Sequence, residues 1–266
     1  MANAVLIVWR ETIEALLVVG ILHAWLTTRG DRARLRFLWG GVAAGLGFAG
    51  LLAWTLLALS EALEGETFEY VQGGTTLAAA VLITHMVFWM RRHGRGLKGE
   101  LETGLARATT GVAVSLLAAI AVGREGAETV VFLYGLGVGG NTLMLTLAVT
   151  AGVAIAIASF WLLQRSASRI GWRTFFAVTG AMLLALAGAL LVSTVERFVG
   201  LGVVSPGPDP LWDSSAWLDD QAGIGNWLAA FAGYRARPAT LTVTLLALYW
   251  VGAIVAWRRA ESVSQP

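Results

Sequence analysis

Seven stretches, near residues 3–28, 36–60, 70–90, 110–136, 142–164, 173–195 and 239–257, stay apolar long enough to cross a bilayer. The hydrocarbon core is ~30 Å thick, and roughly 20 helical residues span it. Backbone groups in lipid must be satisfied within the segment, and none of these stretches alternates like a membrane barrel strand. The sequence therefore predicts an all-α polytopic membrane protein with seven transmembrane helices. Composition agrees, with 57% hydrophobic residues, 14% charged residues and a mean hydropathy of +0.70. A soluble surface needs about 25% charged residues, so a soluble fold, a disordered chain and a secreted disulfide scaffold are all excluded. There is no cysteine, so a metal here meets oxygen or imidazole. A net charge of only +2 in so apolar a chain argues against a nucleic-acid partner. The first stretch lacks a basic start and a small-residue cleavage site, and is read as a retained helix rather than a signal peptide.

Loop charge supplies orientation. Of the 19 basic residues, 14 follow spans one, three, five and seven: Arg29, Arg32, Arg34, Arg36; Arg91, Arg92, Arg95, Lys98, Arg107; Arg165, Arg169, Arg173; Arg258 and Arg259. The opposite side holds only Arg197, Arg235 and Arg237. The positive-inside rule then places the N-terminus outside and the C-terminus in the cytoplasm. With their acids counted, the inner loops sum to +10 and the outer loops to −6, so the outer face attracts cations.

Charges inside the spans carry the chemistry. Span one contains Arg10-Glu11-Thr12-Ile13-Glu14 and span four contains Arg124-Glu125-Gly126-Ala127-Glu128, so the pattern R-E-x-x-E occurs twice. Each charge costs roughly 2.5 to 3.5 kcal/mol at a helix centre, so six facing lipid unpaired would cost on the order of 15 to 20 kcal/mol. They must face one another or water. Three-residue spacing puts both carboxylates of a motif on one helix face, with Cβ atoms about 5 to 6 Å apart. Two such helices side by side present four carboxylates, Glu11, Glu14, Glu125 and Glu128, to one point. Hard cations take such oxygen ligands, and Arg10 and Arg124 offset part of the negative charge. The plainer reading is a pair of salt-bridged helices that hold the bundle together. Recurrence of the motif 114 residues later, with His85 as the main other ionisable group at depth, favours a site. Spans one to three (about 3–90) and four to six (about 110–195) form two sets of three entering from opposite sides. That is the inverted-repeat plan of many transporters, followed here by an outer loop (about 197–238) and a seventh helix (about 239–257), all within one integral membrane domain, 1–266.

The segments Trp9-Arg10-Glu11-Thr12-Ile13-Glu14-Ala15-Leu16 and Gly123-Arg124-Glu125-Gly126-Ala127-Glu128-Thr129-Val130 resemble the paired R-E-x-x-E helices of the oxidase-dependent iron permeases, fungal and bacterial. Phe68-Glu69 through Gln72-Gly73-Gly74 to Phe88-Trp89-Met90 is similar to that family's third helix, and Leu191 to Glu196 to the end of its sixth. Trp212-Asp213-Ser214-Ser215, Gly233-Tyr234 and Pro238 are similar to its last outer loop. The resemblance implies high-affinity iron uptake with glutamates binding ferric or ferrous iron as substrate, no permanently bound cofactor, and no enzymatic activity. It also implies an extracytoplasmic oxidase, peroxidase or iron-binding protein as partner. The residues alone leave open a transporter of another hard divalent cation or a proton-coupled carrier using the same carboxylates. An intramembrane enzyme is disfavoured for want of a deep Ser, His and Asp set.

Other positions carry further expectations. Glu69 and Glu196 stand as accessory residues of an outer path, and His85 as an imidazole at membrane depth. Gly41, Gly45, Gly47 and Gly50 read as a close-packing helix face. The outer loop, long and rich in aromatics, reads as an amphipathic segment at the outer surface rather than a disordered linker.

Overall fold

Long unbroken helices follow from the apolar stretches, because a chain without water partners closes its hydrogen bonds within the segment. The computed structural model describes residues 1–93, 99, 103–104, 110–137, 142–165 and 172–262. Among the described residues there are eight helices and no strand: α1 (Ala2–Thr28), α2 (Arg32–Ala62), α3 (Gly65–His93), α4 (Gly111–Gly135), α5 (Thr142–Arg165), α6 (Trp172–Gly200), α7 (Gly223–Ala232) and α8 (Thr240–Ser262). Seven coincide with the predicted stretches, and α7 is a short helix within the outer loop. Five of them, α2, α3, α5, α6 and α8, are long and apolar enough to cross a membrane by length and composition. The other two long helices, α1 and α4, are the ones that carry the R-E-x-x-E charges. Arg95, Lys98, Glu100, Glu102, Arg107 and Arg169, which the orientation argument uses, lie outside the described residues.

The chain divides into two compact units. The first comprises residues 1–62, 93–133 and 138–170, and the second residues 63–92, 134–137 and 171–266. In the first unit, Gly30 (φ +72°) turns the chain between α1 and α2 within three residues, and Arg34 closes the turn on Asp31 at 2.9 Å. Val18, Leu22 and Leu26 of α1, Leu38 of α2, and Val114 and Ala118 of α4 form a shared apolar core. Small residues then set how closely helices approach. A Cβ on Gly41 would come within 2.2 Å of the Ser115 carbonyl oxygen, and one on Gly45 within 2.8 Å of the Gly123 nitrogen. A Cβ on Gly126 would meet the Ala49 Cβ at 2.6 Å. Gly41, Gly45 and Ala49 form one i, i+4 row, so α2 lies backbone to backbone on α4. Gly47 and Gly50 do not join this face, contrary to expectation: at 100° per residue they turn off the row and meet nothing within 4 Å.

The α1–α5 contact repeats the same device. A Cβ on Gly152 would lie 2.7 Å from the Val8 Cβ, Gly20 faces Phe160, and Trp9 Nε1 donates to Ser159 Oγ at 3.1 Å. In both pairs residue numbers rise together along the contact, so α1 runs parallel to α5 and α2 parallel to α4.

In the second unit, Tyr249 of α8 joins α3 and α6: its hydroxyl donates to the Leu184 carbonyl at 2.8 Å and lies 3.3 Å from Thr84 Oγ1. Gln72 Nε2 donates to the Tyr134 carbonyl at 2.8 Å and Thr76 Oγ1 to the Gly135 carbonyl at 2.9 Å. Both bonds reach carbonyls at the end of α4, where the Tyr134 carbonyl also accepts from the Gly137 N–H at 2.9 Å.

Candidate metal centre

Two features of sequence aim the motif carboxylates. Gly123 and Gly126, turned toward α2, let α4 approach it, and the intervening Glu125 points away to meet α1. On α1, Val8 and Trp9 are pressed on Gly152 and Ser159, which leaves the next turn, Arg10 to Glu14, facing inward. The result is a group of three buried carboxylates, Glu11, Glu14 and Glu125, with one oxygen of each lying within 4.8 Å of the other two.

Arg10 is the internal counter-charge. Its Nη1 donates to Glu11 Oε1 at 3.0 Å and its Nη2 lies 2.5 Å from Glu14 Oε1, and all three side chains are buried. The second motif is arranged differently. Arg124 Nε donates to Glu128 Oε1 at 2.8 Å, an i, i+4 pair, and stays 3.9 Å from Glu125. Glu128 thereby engages Arg124 and stands outside the three-carboxylate group. Arg124 is 43% exposed where Arg10 is 2% exposed. The six charges nevertheless act on one another: Glu11 senses Glu125 and Glu128, and Glu14 senses Glu128 and Arg124.

Several carboxylate oxygens have no hydrogen-bond donor. Glu11 Oε2, Glu125 Oε2 and Glu128 Oε2 are buried without one, and Glu14 Oε1 meets Arg10 as an ion pair but not as a hydrogen bond. Buried oxygens that merely brace a fold are ordinarily satisfied. Convergent ionised oxygens with unused lone pairs are what a hard cation needs. Such a donor set takes oxygen-seeking cations without thiolates.

The remaining sequence candidates lie in the second unit. Glu69 is ion-paired with Arg197, and Glu196 accepts a two-pronged contact from Arg235, Nε to Oε1 at 2.5 Å and Nη2 to Oε2 at 2.8 Å. His85 sits on an exposed face of α3. Two contributors carried no clear sequence signal. Gly152 and Ser159 position α1, yet their partners Val8 and Trp9 are about 150 residues away along the chain. A small residue in an apolar run does not announce such a contact.

A model of the iron permease FTR1 family matches residues 1–258. The chain is 29% identical over 265 residues to the ferrous iron permease EfeU of Escherichia coli O6:H1 (strain CFT073), covering 95% of this chain and 93% of that protein. It is 27% identical to the ferrous iron permease EfeU of Yersinia pestis, covering 94% and 90% of the two chains. An uncharacterized protein of Archaeoglobus fulgidus is 30% identical over 244 residues, 89% of this chain and 87% of that one. No solved structure matches.

Proposed function

The chain belongs to the iron permease FTR1 family, whose members are transporters rather than enzymes, and from that premise we propose that it carries ferrous iron across a bilayer through the Glu11–Glu14–Glu125 site. The convergence of three buried carboxylates with unused oxygens is the observation that carries this reading. The ferrous form is supported by the EfeU relatives, which are named for ferrous iron. Glu128, held by Arg124, joins as a fourth ligand when that pair opens. His85, Glu69 and Glu196 remain accessory.

Seven spans arranged as a 3+3 inverted repeat with an added helix account for the packing. In a seven-span chain, odd spans run one way and even spans the other, in keeping with the parallel α1–α5 and α2–α4 pairs. The repeat also accounts for a correspondence in detail: Gly152 faces Val8 and Gly45 faces Val122, and Val8 and Val122 are separated by the same 114 residues as Glu11 and Glu125. The split of basic residues supports an outside N-terminus and a cytoplasmic C-terminus, and the bacterial EfeU relatives support an inner membrane. Delivery by an extracytoplasmic oxidase, peroxidase or iron-binding protein rests on the family resemblance alone.

The test is radioiron uptake by vesicles containing the purified protein, with Mn, Zn and Mg as competitors. Ferrous iron is expected to enter, Mn and Mg to compete weakly, and Glu11→Gln, Glu14→Gln and Glu125→Gln to abolish uptake while remaining in the membrane. Uptake at wild-type rates by two of these three variants overturns the site, and preferential transport of another ion overturns the substrate.

A further inference from the structure

We infer that the segment from Gly223 to Ala236 is a re-entrant hairpin, with α7 descending into the bilayer and the chain returning extended, so that Ile224, Trp227 and Leu228 lie among acyl chains of the leaflet opposite the arginine-rich loops. The inference rests on the membrane-spanning reading and is independent of which ion is carried. Depth is the first observation. A Cβ on Gly233, which ends α7 at φ +73°, would lie 2.9 Å from Val192 Cγ2, 3.1 Å from Ala189 Cα and 3.3 Å from the Gly188 oxygen of α6. Those residues stand four to eight positions inward of Glu196, about 6 to 12 Å along a helix. Gly188 in turn faces Leu246 and Tyr249, well inside α8.

Composition and exposure agree. Residues 221–234 contain no charged side chain, whereas Asp219 and Asp220 precede them and Arg235 follows. Ten helical residues reach about 15 Å, and the two residues after Gly233 can bring the chain back by up to about 7 Å, toward the level where Arg235 grips Glu196. On α7, Ile224, Trp227 and Leu228 are exposed, with Trp227 stacked on Phe231 at 5.6 Å. In water such a face is costly. Among acyl chains it is stable.

Satisfaction of the non-helical backbone is the independent observation. Irregular backbone is tolerated at membrane depth only where protein groups replace water. The Gly233 N–H donates to the Ala229 carbonyl at 3.1 Å and the Tyr234 N–H to the Leu228 carbonyl at 3.3 Å, closing the end of α7. The Ala236 N–H donates to Asp220 Oδ2 at 3.3 Å, while its carbonyl accepts from the Ser214 N–H at 2.9 Å. The Tyr234 hydroxyl donates to the Leu218 carbonyl at 2.8 Å.

A chain without cysteine permits a clean test. Trp227→Cys, Leu228→Cys and, as a loop reference, Val204→Cys are placed singly in the full protein, in sealed cells. With a membrane-impermeant maleimide, positions 227 and 228 are expected to label at least ~10-fold more slowly than 204 and equally after detergent denaturation. A nitroxide on Leu228→Cys is then expected to be relaxed by oxygen in preference to a water-soluble nickel complex, as lipid exposure requires. Labelling at 227 and 228 as fast as at 204 overturns the hairpin. Slow labelling with a nitroxide reached by neither relaxant places protein, not lipid, on this face and overturns the assigned partner. Because no ion enters the readout, a failure here leaves the iron site standing, and a failure of iron uptake leaves the hairpin standing.

Discussion

Gly152 of α5 lies so close to Val8 of α1 that a Cβ there would come within 2.7 Å of the Val8 Cβ and 3.1 Å of the Trp9 nitrogen. Gly45 stands in the corresponding place against Val122 and the Gly123 nitrogen. Each glycine presses on the turn that delivers a motif glutamate. Gly45→Ala and Gly152→Ala should therefore cost about 1 to 3 kcal/mol by overpacking and should also displace Glu125 and Glu11. Neither contact can be relieved by a rotamer change, because the Val8 Cβ and the Gly123 and Trp9 nitrogens are fixed by the backbone, so both changes should be destabilising. Gly47→Ala and Gly50→Ala meet open space and should be neutral or stabilising by up to about 1 kcal/mol, through helix propensity. Thermal stability of the purified variants measures this; equal losses at 45 and 47 would refute the packing.

The carboxylates should separate into two groups. Glu11, Glu14 and Glu125 converge, while Glu128 is held by Arg124. Changing any of the first three to Gln should abolish equilibrium iron binding, since each removes one of three ionised donors. Glu128→Gln should preserve binding and slow transport. Calorimetric iron titration set beside vesicle uptake reads the two effects separately, and loss of binding at Glu128→Gln equal to that at Glu14→Gln would place all four in one shell.

How much of this was legible in the sequence depends on whether a feature is local. The seven long helices follow from apolar length, and the spacing of Glu11 to Glu14 and of Glu125 to Glu128 fixes shared faces without reference to any neighbour. Gly41 and Gly45 were legible as a packing row, whereas Gly47 and Gly50 were wrongly joined to it, because a count of small residues ignores their angular position. The inequality of the motifs was not legible. Both read R-E-x-x-E, yet Arg10 is enclosed and Arg124 is not, a difference made by surrounding helices. The hairpin of α7 was similarly hidden, since an uncharged, aromatic-rich stretch of 14 residues is equally compatible with a surface helix and with one that dips into lipid.

The outer loop should show an acid transition of defined sign. Asp213 is held down to about 2 by the Ser215 hydroxyl and N–H and then by Arg237, whose Nε lies 3.0 Å away. A carboxylate lowered on folding stabilises the loop above its unfolded value of about 3.9, and loses that contribution as pH falls toward about 2. Protease sensitivity near Asp213 should thus be flat from neutral pH to about 4 and rise below it, and Asp213→Asn should remove the rise. An unchanged profile in that variant would assign the transition to another group.

The last prediction sets Arg10 against Arg124. Arg10 is enclosed with Glu11 and Glu14, so Arg10→Gln leaves two buried carboxylates without their nearest counter-charge, a loss of roughly 3 to 5 kcal/mol. That variant should be scarce in the membrane. Arg10→Lys keeps a point charge but cannot reach both carboxylates in the same geometry, so it should recover abundance and only part of the uptake. Arg124 is 43% exposed, and its pair with Glu128 should contribute no more than about 1 kcal/mol. Arg124→Gln should therefore reach normal abundance, with iron binding retained and transport altered because Glu128 is released from its partner. The measurement is uptake normalised to folded protein recovered from the membrane, alongside that recovery itself. Equal recovery of the two Gln variants would show that burial does not separate the arginines. Normal transport by a well-folded Arg124→Gln would show that the Arg124–Glu128 pair has no part in passage of the ion.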